Sequence, residues 1–188
     1  IPMGIDYYLI GSNDQFNVMR SRNVVCVGWE PNMNLSHLYG KAHQDIIKYL
    51  KVNGEEQKPI SYNSLKHFLN LKRGDVVAIK KWNMVDGLKV LAYARVVERD
   101  GRVYSYDKGG LVHVVNVEYL NKPAAKFLYN YAQTIHHVTD RYLIEKIFGG
   151  IDEEATVNQR ISELSNDFLE PILKRIEDWE NDKTAVLG

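Results

Sequence analysis

The chain has 188 residues with 24 Lys plus Arg, 24 Asp plus Glu and a single cysteine, an ordinary globular composition that excludes a disulfide framework and a multi-cysteine zinc site. No run approaches the roughly 20 apolar residues of a membrane span. Residues 1–6 lack the basic flank and apolar stretch of a secretory signal, so a cytoplasmic protein is expected, with Met3 as its native start. The formal charge of zero is unevenly spread: residues 41–102 carry 13 Lys plus Arg against 7 Asp plus Glu, and residues 140–188 carry 6 against 12. A basic middle suits a phosphate backbone through counterion release, while an acidic tail repels one; solvated surface is the plainer reading of the same asymmetry.

Residues 6–10 read as a first strand, Ser12 or Asn13 as the cap of a short helix over 14–20, and 23–28 as a second strand. A helical insert follows. Leu38, Ile46, Ile47 and Leu50 form the apolar face of one helix, and Ser61 caps another that carries Leu65, Phe68, Leu69 and Leu71. After the turn at 72–75 the pattern changes to period two with β-branched residues over 76–80, 88–97, 102–106 and 111–120, which predicts a four-strand meander. Pro123 suits a helix first turn, so 124–132 is expected to be helical. Another helix runs from Asp140 to the glycines at 149–150. The last segment places Leu164, Phe168, Ile172, Ile176 and Trp179 on one apolar stripe over 159–179, with Pro171 bending or dividing it. The expected class is therefore α+β, a curled or barrel-like sheet of about six strands flanked by helices, with a C-terminal helical extension. Strands and helices do not alternate throughout, which disfavours a doubly wound parallel fold.

Signatures of catalysis are missing. The histidines at 37, 43, 67, 113, 136 and 137 show no metal-ligand pair at helix spacing beside a carboxylate. There is no GxSxG, phosphate loop or dinucleotide fingerprint, and Gly109-Gly110 reads as a hairpin turn. Cys26 sits in an apolar strand, where burial raises a thiol's pKa and makes it inert. No enzymatic activity, cofactor or metal is expected.

Two stretches carry recognition chemistry. The first is VVCVGW at 24–29, where an apolar strand ends in Trp29 and Pro31 turns the chain away; such a ring either lines a ligand pocket or plugs the end of a barrel. The second is GRVYSYDKGGLVHVVNVEYL at 101–120, in which Tyr104 and Tyr106 share one face of a strand. GSNDQFNVMRSRNVVCVGW at 11–29 resembles the opening of the PUA-like superfamily, in particular the EVE and YTH domains. Its continuation VGWEPNMNLSHL, with LKRGDVVAIKK at 71–81 and the 103–120 hairpin, is similar to the N-terminal domains of McrB-type modification-dependent restriction proteins. The resemblance implies a recognition domain over 1–139 and a helical extension over 140–188 leading to an effector domain.

It also implies a reader of modified, in particular methylated, DNA bases that accepts a flipped base in an aromatic cage. On that reading Trp29, Ser12, Asn13, Trp82 and Tyr106 are the pocket candidates, and Lys72, Arg73, Lys80 and Lys81 the backbone contacts. The expected partners are DNA carrying a modified base and an effector motor or nuclease. An RNA-binding module of the same kind, and a protein-interaction module acting through the C-terminal helix, are the alternatives.

Overall fold

The computed structural model describes residues 4–127, 129–151, 171–172 and 174–176, and divides the chain into two compact units, 1–148 and 149–188. In the first, β1 (Tyr7–Gly11), α1 (Phe16–Arg22) and β2 (Val24–Val27) lead through a 3-10 turn at Ser36–Leu38 to α2 (His43–Asn53) and α3 (Pro59–Phe68). Then come β3 (Val76–Asn83), β4 (Gly87–Val96), β5 (Tyr104–Asp107), β6 (Val112–Tyr119), β7 (Ala125–Phe127), β8 (Ile135–Val138) and α4 (Arg141–Phe148). Of the second unit, residues 171–172 and 174–176 are helical, with Ile172 and Ile176 exposed. The rest of the apolar stripe expected over 159–179 lies outside the described residues. Among the described residues no helix is long and apolar enough to cross a membrane.

The class is α+β. Six strands follow the path β2-β6-β4-β3-β1-β8 in a curled half-barrel, with β5 paired to β6 and β7 to β4 at its sides. All pairings are antiparallel except β1 with β3, which run parallel with Leu9 opposite Ala78. The curl follows from long strands that change partner along their length. β4 pairs with β7 through Leu88–Val90 and with β6 through Ala94–Val96, while the first half of β6 pairs with both β2 and β5. The core fills the concave space: Ile10, Val25, Val77, Ile79, Val115 and Val117 from the sheet meet Met19, Ile46, Leu50, Leu65 and Phe68 from the helices, all essentially inaccessible. Each such side chain contributes roughly 1.5–3 kcal/mol by burial.

Four expectations need correction. The four strands after residue 75 are not a meander, because β4 pairs directly with β6 and β5 lies on the other part of β6. The helix expected over 124–132 is replaced, among the described residues, by β7, which hydrogen-bonds the stretch of β4 that β6 leaves uncovered and satisfies backbone groups that would otherwise form an open edge. Neither Ser12 nor Asn13 caps α1, whose first turn has no side-chain cap. Ser61 lies inside α3, which starts at Pro59, the residue whose fixed φ and missing N–H suit a first turn. Asp140 does open α4, its Oδ1 accepting from the N–H of Leu143 at 3.0 Å.

Candidate functional site

β2 has β6 as its one partner among the described strands and stands at one end of the sheet path; β8 stands at the other. A depression of about 310 Å³ is lined by residues from both ends of that path: Cys26, Val27, Gly28 and Trp29 leading out of β2, and Thr134 just before β8. Ser12, from the end of β1, and Glu56, from the α2–α3 junction, complete the walls with the 110–112 turn. A second depression of about 360 Å³ shares Gly11, Ser12, Asn13 and Thr134 with the first, and adds Lys80, Lys81, Trp82 and Asn83. The 11–13 loop is thus the ridge between two concavities, with a tryptophan in each.

That ridge is conformationally costly. Asn13 and Asp14 are both left-handed, at φ 40° and 60°, a conformation that Asn and Asp tolerate best among non-glycine residues and that costs on the order of 1–3 kcal/mol each. Ser12 is 1% exposed and its Oγ has no hydrogen-bond partner among the described residues; Glu56 Oε2, from another part of the same lining, has none either. Two buried polar atoms without partners in one cavity are unusual, since each such group costs about 1–3 kcal/mol until something bonds it.

Trp29 is half-buried against the core, and the chain after it is tied down at three points. Glu30, 0% exposed and left-handed at φ 53°, accepts from the N–H of Glu55 (2.6 Å), the N–H of Glu56 (3.2 Å) and Ser61 Oγ (3.3 Å). Asn32 Nδ2 donates to Glu55 Oε2 at 3.0 Å, and Tyr106 Oη donates to the carbonyl of Pro31 at 2.9 Å. Gly54 makes room for this: a Cβ there would sit 2.4 Å from the Leu50 carbonyl oxygen and 3.0 Å from Glu30 Oε1. Beneath the arm, His113 is 0% exposed with Nδ1 2.7 Å from Tyr104 Oη, and burial pushes its pKa down to about 4, so the ring is neutral at physiological pH.

The expected residues therefore divide. Ser12, Asn13 and Trp29 meet in the first depression, and Ser12, Asn13, Lys80, Lys81 and Trp82 in the second. Tyr106 is not in the wall; it holds the Trp29 arm and packs its ring 5.7 Å from His113. Trp29 is accordingly the one aromatic side chain lining the first depression among the described residues. Lys80 is buried, its Nζ donating to the Tyr131 carbonyl, and burial pushes its pKa down to about 8. Lys81 is exposed, 3.7 Å from Asp14. Lys72 and Arg73 precede β3 at its opposite end, and Lys72 is committed to Asp6 and Asp75. Cys26 is buried, which pushes its thiol up to about 11.

Sequence reasoning missed Glu30, Glu56 and Thr134. Only Glu30 left a signal, an acid set between a pocket-forming Trp and a Pro. No group of three or more metal-ligating side chains is placed to hold a metal among the described residues. No protein-family model matches the chain, and no curated protein matches its sequence.

Proposed function

We propose that this chain is a nucleic-acid-binding specificity module of the PUA-like (EVE/YTH-like) kind. It accepts a flipped, modified base of DNA against Trp29, acts by binding rather than by chemistry, and serves a modification-dependent restriction or phage-defence system whose motor or nuclease does the cutting. The observation that carries this reading is the meeting of Trp29, Ser12 and Asn13, from the two ends of the 11–29 segment, in one concavity at the open seam of a curled sheet.

A volume of about 310 Å³ lies at the lower end of the roughly 300–1,000 Å³ of small-molecule pockets, in keeping with a flat heterocycle. Stacking on the indole is worth roughly 1–3 kcal/mol per base. The unpartnered Glu56 Oε2 and Ser12 Oγ supply what a base edge needs. The carboxylate accepts from an exocyclic amine, and the hydroxyl either donates or accepts. Lys81 in the adjoining depression suits the flanking phosphate.

The test is fluorescence-anisotropy titration of wild type and Trp29→Ala with DNA carrying methylated adenine, methylated cytosine or neither, and with RNA of the same sequence, at fixed salt. Modification-dependent affinity that the folded variant loses is the expected result. Wild-type affinity indifferent to modification would overturn the reading, and tighter binding to RNA would move it to the RNA-binding alternative.

A further inference from the structure

Three lysines stand directly opposite one another across three adjacent strands. In the register of the sheet Lys81 of β3 faces Lys89 of β4, and Lys89 faces Lys126 of β7. All three are exposed, whereas their neighbours in register, Lys80 with Val90 and Trp82 with Leu88, turn to the other face and are buried or half-buried. Side chains paired this way have Cβ atoms about 4.5–5.5 Å apart, and like charges directly opposite destabilise a sheet. Three rungs on strands spaced about 4.8 Å apart place three ammonium groups along roughly 10 Å. Asp14, 3.7 Å from Lys81, is the one carboxylate in ion-pair contact with a rung among the described residues; Lys89 and Lys126 have none. A row of three like charges that the fold brings together against a single exposed carboxylate is an unfavourable arrangement in the free protein and a favourable one beside a polyanion.

We propose that the row Lys81, Lys89 and Lys126 is a phosphate-binding track for the nucleic-acid strand that presents the base to the Trp29 pocket. Lys81 is the first rung and also lines the depression next to that pocket, so the row starts at the site and leads away from it over β4 and β7. The inference rests on the proposed function for its occupant, although not for the geometry of the row. Neutralising the track has two opposite effects. It weakens the complex uniformly across base sequences, because phosphate contacts carry no sequence information. It also stabilises the free protein, because the repulsion between rungs is removed.

The experiment compares wild type with the triple variant Lys81→Gln, Lys89→Gln, Lys126→Gln, titrating a labelled modified duplex from 50 to 200 mM salt and measuring urea unfolding of the free proteins. Three lost phosphate contacts reduce the slope of log affinity against log salt by about 2.7, so wild type loses roughly 40-fold more affinity than the variant across that range. The expected result is this flatter slope, weaker binding at 50 mM, an unchanged preference for modified over plain DNA, and a urea midpoint equal to or above wild type. An unchanged slope in a variant that still prefers modified DNA overturns the track and leaves base reading standing. If wild type binds no nucleic acid, base reading and track fail together. Lysine-dependent co-sedimentation with phosphatidylserine vesicles by such a protein would reassign the row to an anionic membrane surface.

Discussion

Trp29 and Trp82 lie on opposite sides of the Ser12-Asn13 ridge, and the protein holds them in different ways. The arm behind Trp29 is fixed by a fully buried carboxylate, by Asn32 on Glu55 and by Tyr106 on Pro31. Trp82 sits near the tip of the β3–β4 hairpin, where the turn is closed by Asn83 Oδ1 accepting from the N–H groups of Val85 and Asp86, and where Met84 and Val85 are 90% and 93% exposed. Tethering from the core is what a group needs if it must already stand where its ligand will dock, because ordering it at the moment of binding costs affinity. A hairpin tip closed by local bonds has no such support. On the proposed function, the selective contact falls to Trp29 and an adaptable, secondary one to Trp82.

The largest expected effect breaks the tether itself. Glu30→Ala strands the N–H groups of Glu55 and Glu56 and the hydroxyl of Ser61, which share that carboxylate. Stability should fall by about 3 kcal/mol, since hydrogen bonds to charged groups are worth roughly 1.5–3 each and water recovers only part of the loss. Asn83→Ala, which opens the exposed hairpin turn, should cost under about 1 kcal/mol. Urea unfolding of the two variants decides the matter. Equal losses would mean that the two tryptophans are held alike.

Titration sharpens the contrast. His113, beneath the Trp29 arm, has its pKa pushed down to about 4 by burial, so between about pH 6.5 and 4 the unfolded chain binds a proton that the folded one refuses. Its contribution is full above pH 6.5 and lost as pH falls through that window, with a total on the order of 3 kcal/mol. His67, also pushed down to about 4 by burial, adds to the loss in the same direction. On the Trp82 side the titrating group is Lys80, pushed down to about 8. Its folded form gives up a proton before the unfolded chain does, so stability rises from about pH 8 towards 10. Unfolding midpoints measured across pH should show both limbs, and Lys80→Met should abolish the alkaline one alone.

In binding, the same contrast predicts unequal partners. Trp29→Ala should weaken binding of a modified duplex by roughly 5- to 150-fold, the equivalent of 1–3 kcal/mol of stacking. Trp82→Ala should cost less and leave the preference for modified over plain DNA intact. Equal losses of preference in anisotropy titrations would make the two depressions a single cage.

Much of this division was legible in residue order. Trp29 at a strand end was readable because it is a local feature, a β run meeting Glu-Pro, whereas the pair at 12–13 read locally as a helix cap and came to the pocket only through the resemblance. The barrel-like sheet followed from β-branched alternation over residues 76–120. Pairing was not readable in the same way. That β4 meets β7 as well as β6 depends on which backbone groups are left open once the sheet curls, and no local propensity records that. The error at 124–132 was avoidable in part, since Phe127, Tyr129 and Tyr131 recur at period two and their rings do touch in sequence, at 6.0 and 6.2 Å. The Glu30 network and the lysine row are tertiary, each joining segments far apart in the chain.

The smallest expected effect concerns a lysine that sequence reasoning placed at the nucleic acid. Lys72 Nζ bonds Asp6 and lies 2.9 Å from Asp75 Oδ1, itself in a residue 1% exposed. Burial acts to lower its pKa, but these two carboxylates outweigh it and raise the pKa above the ordinary lysine value. Lys72 therefore neutralises a pair of acids where β1 and β3 begin. From Val76, at that end of β3, to Lys81 the strand advances five residues, roughly 17 Å at about 3.3 Å per residue. Lys72→Gln should lower stability by about 1 kcal/mol while changing DNA affinity less than twofold and leaving the salt slope alone. Lys81→Gln should do the reverse, flattening the slope by about 1 with stability unchanged. A salt slope that responds to Lys72 would place nucleic acid at the wrong end of β3 for the Trp29 pocket, and would separate the basic surface from the site at the seam.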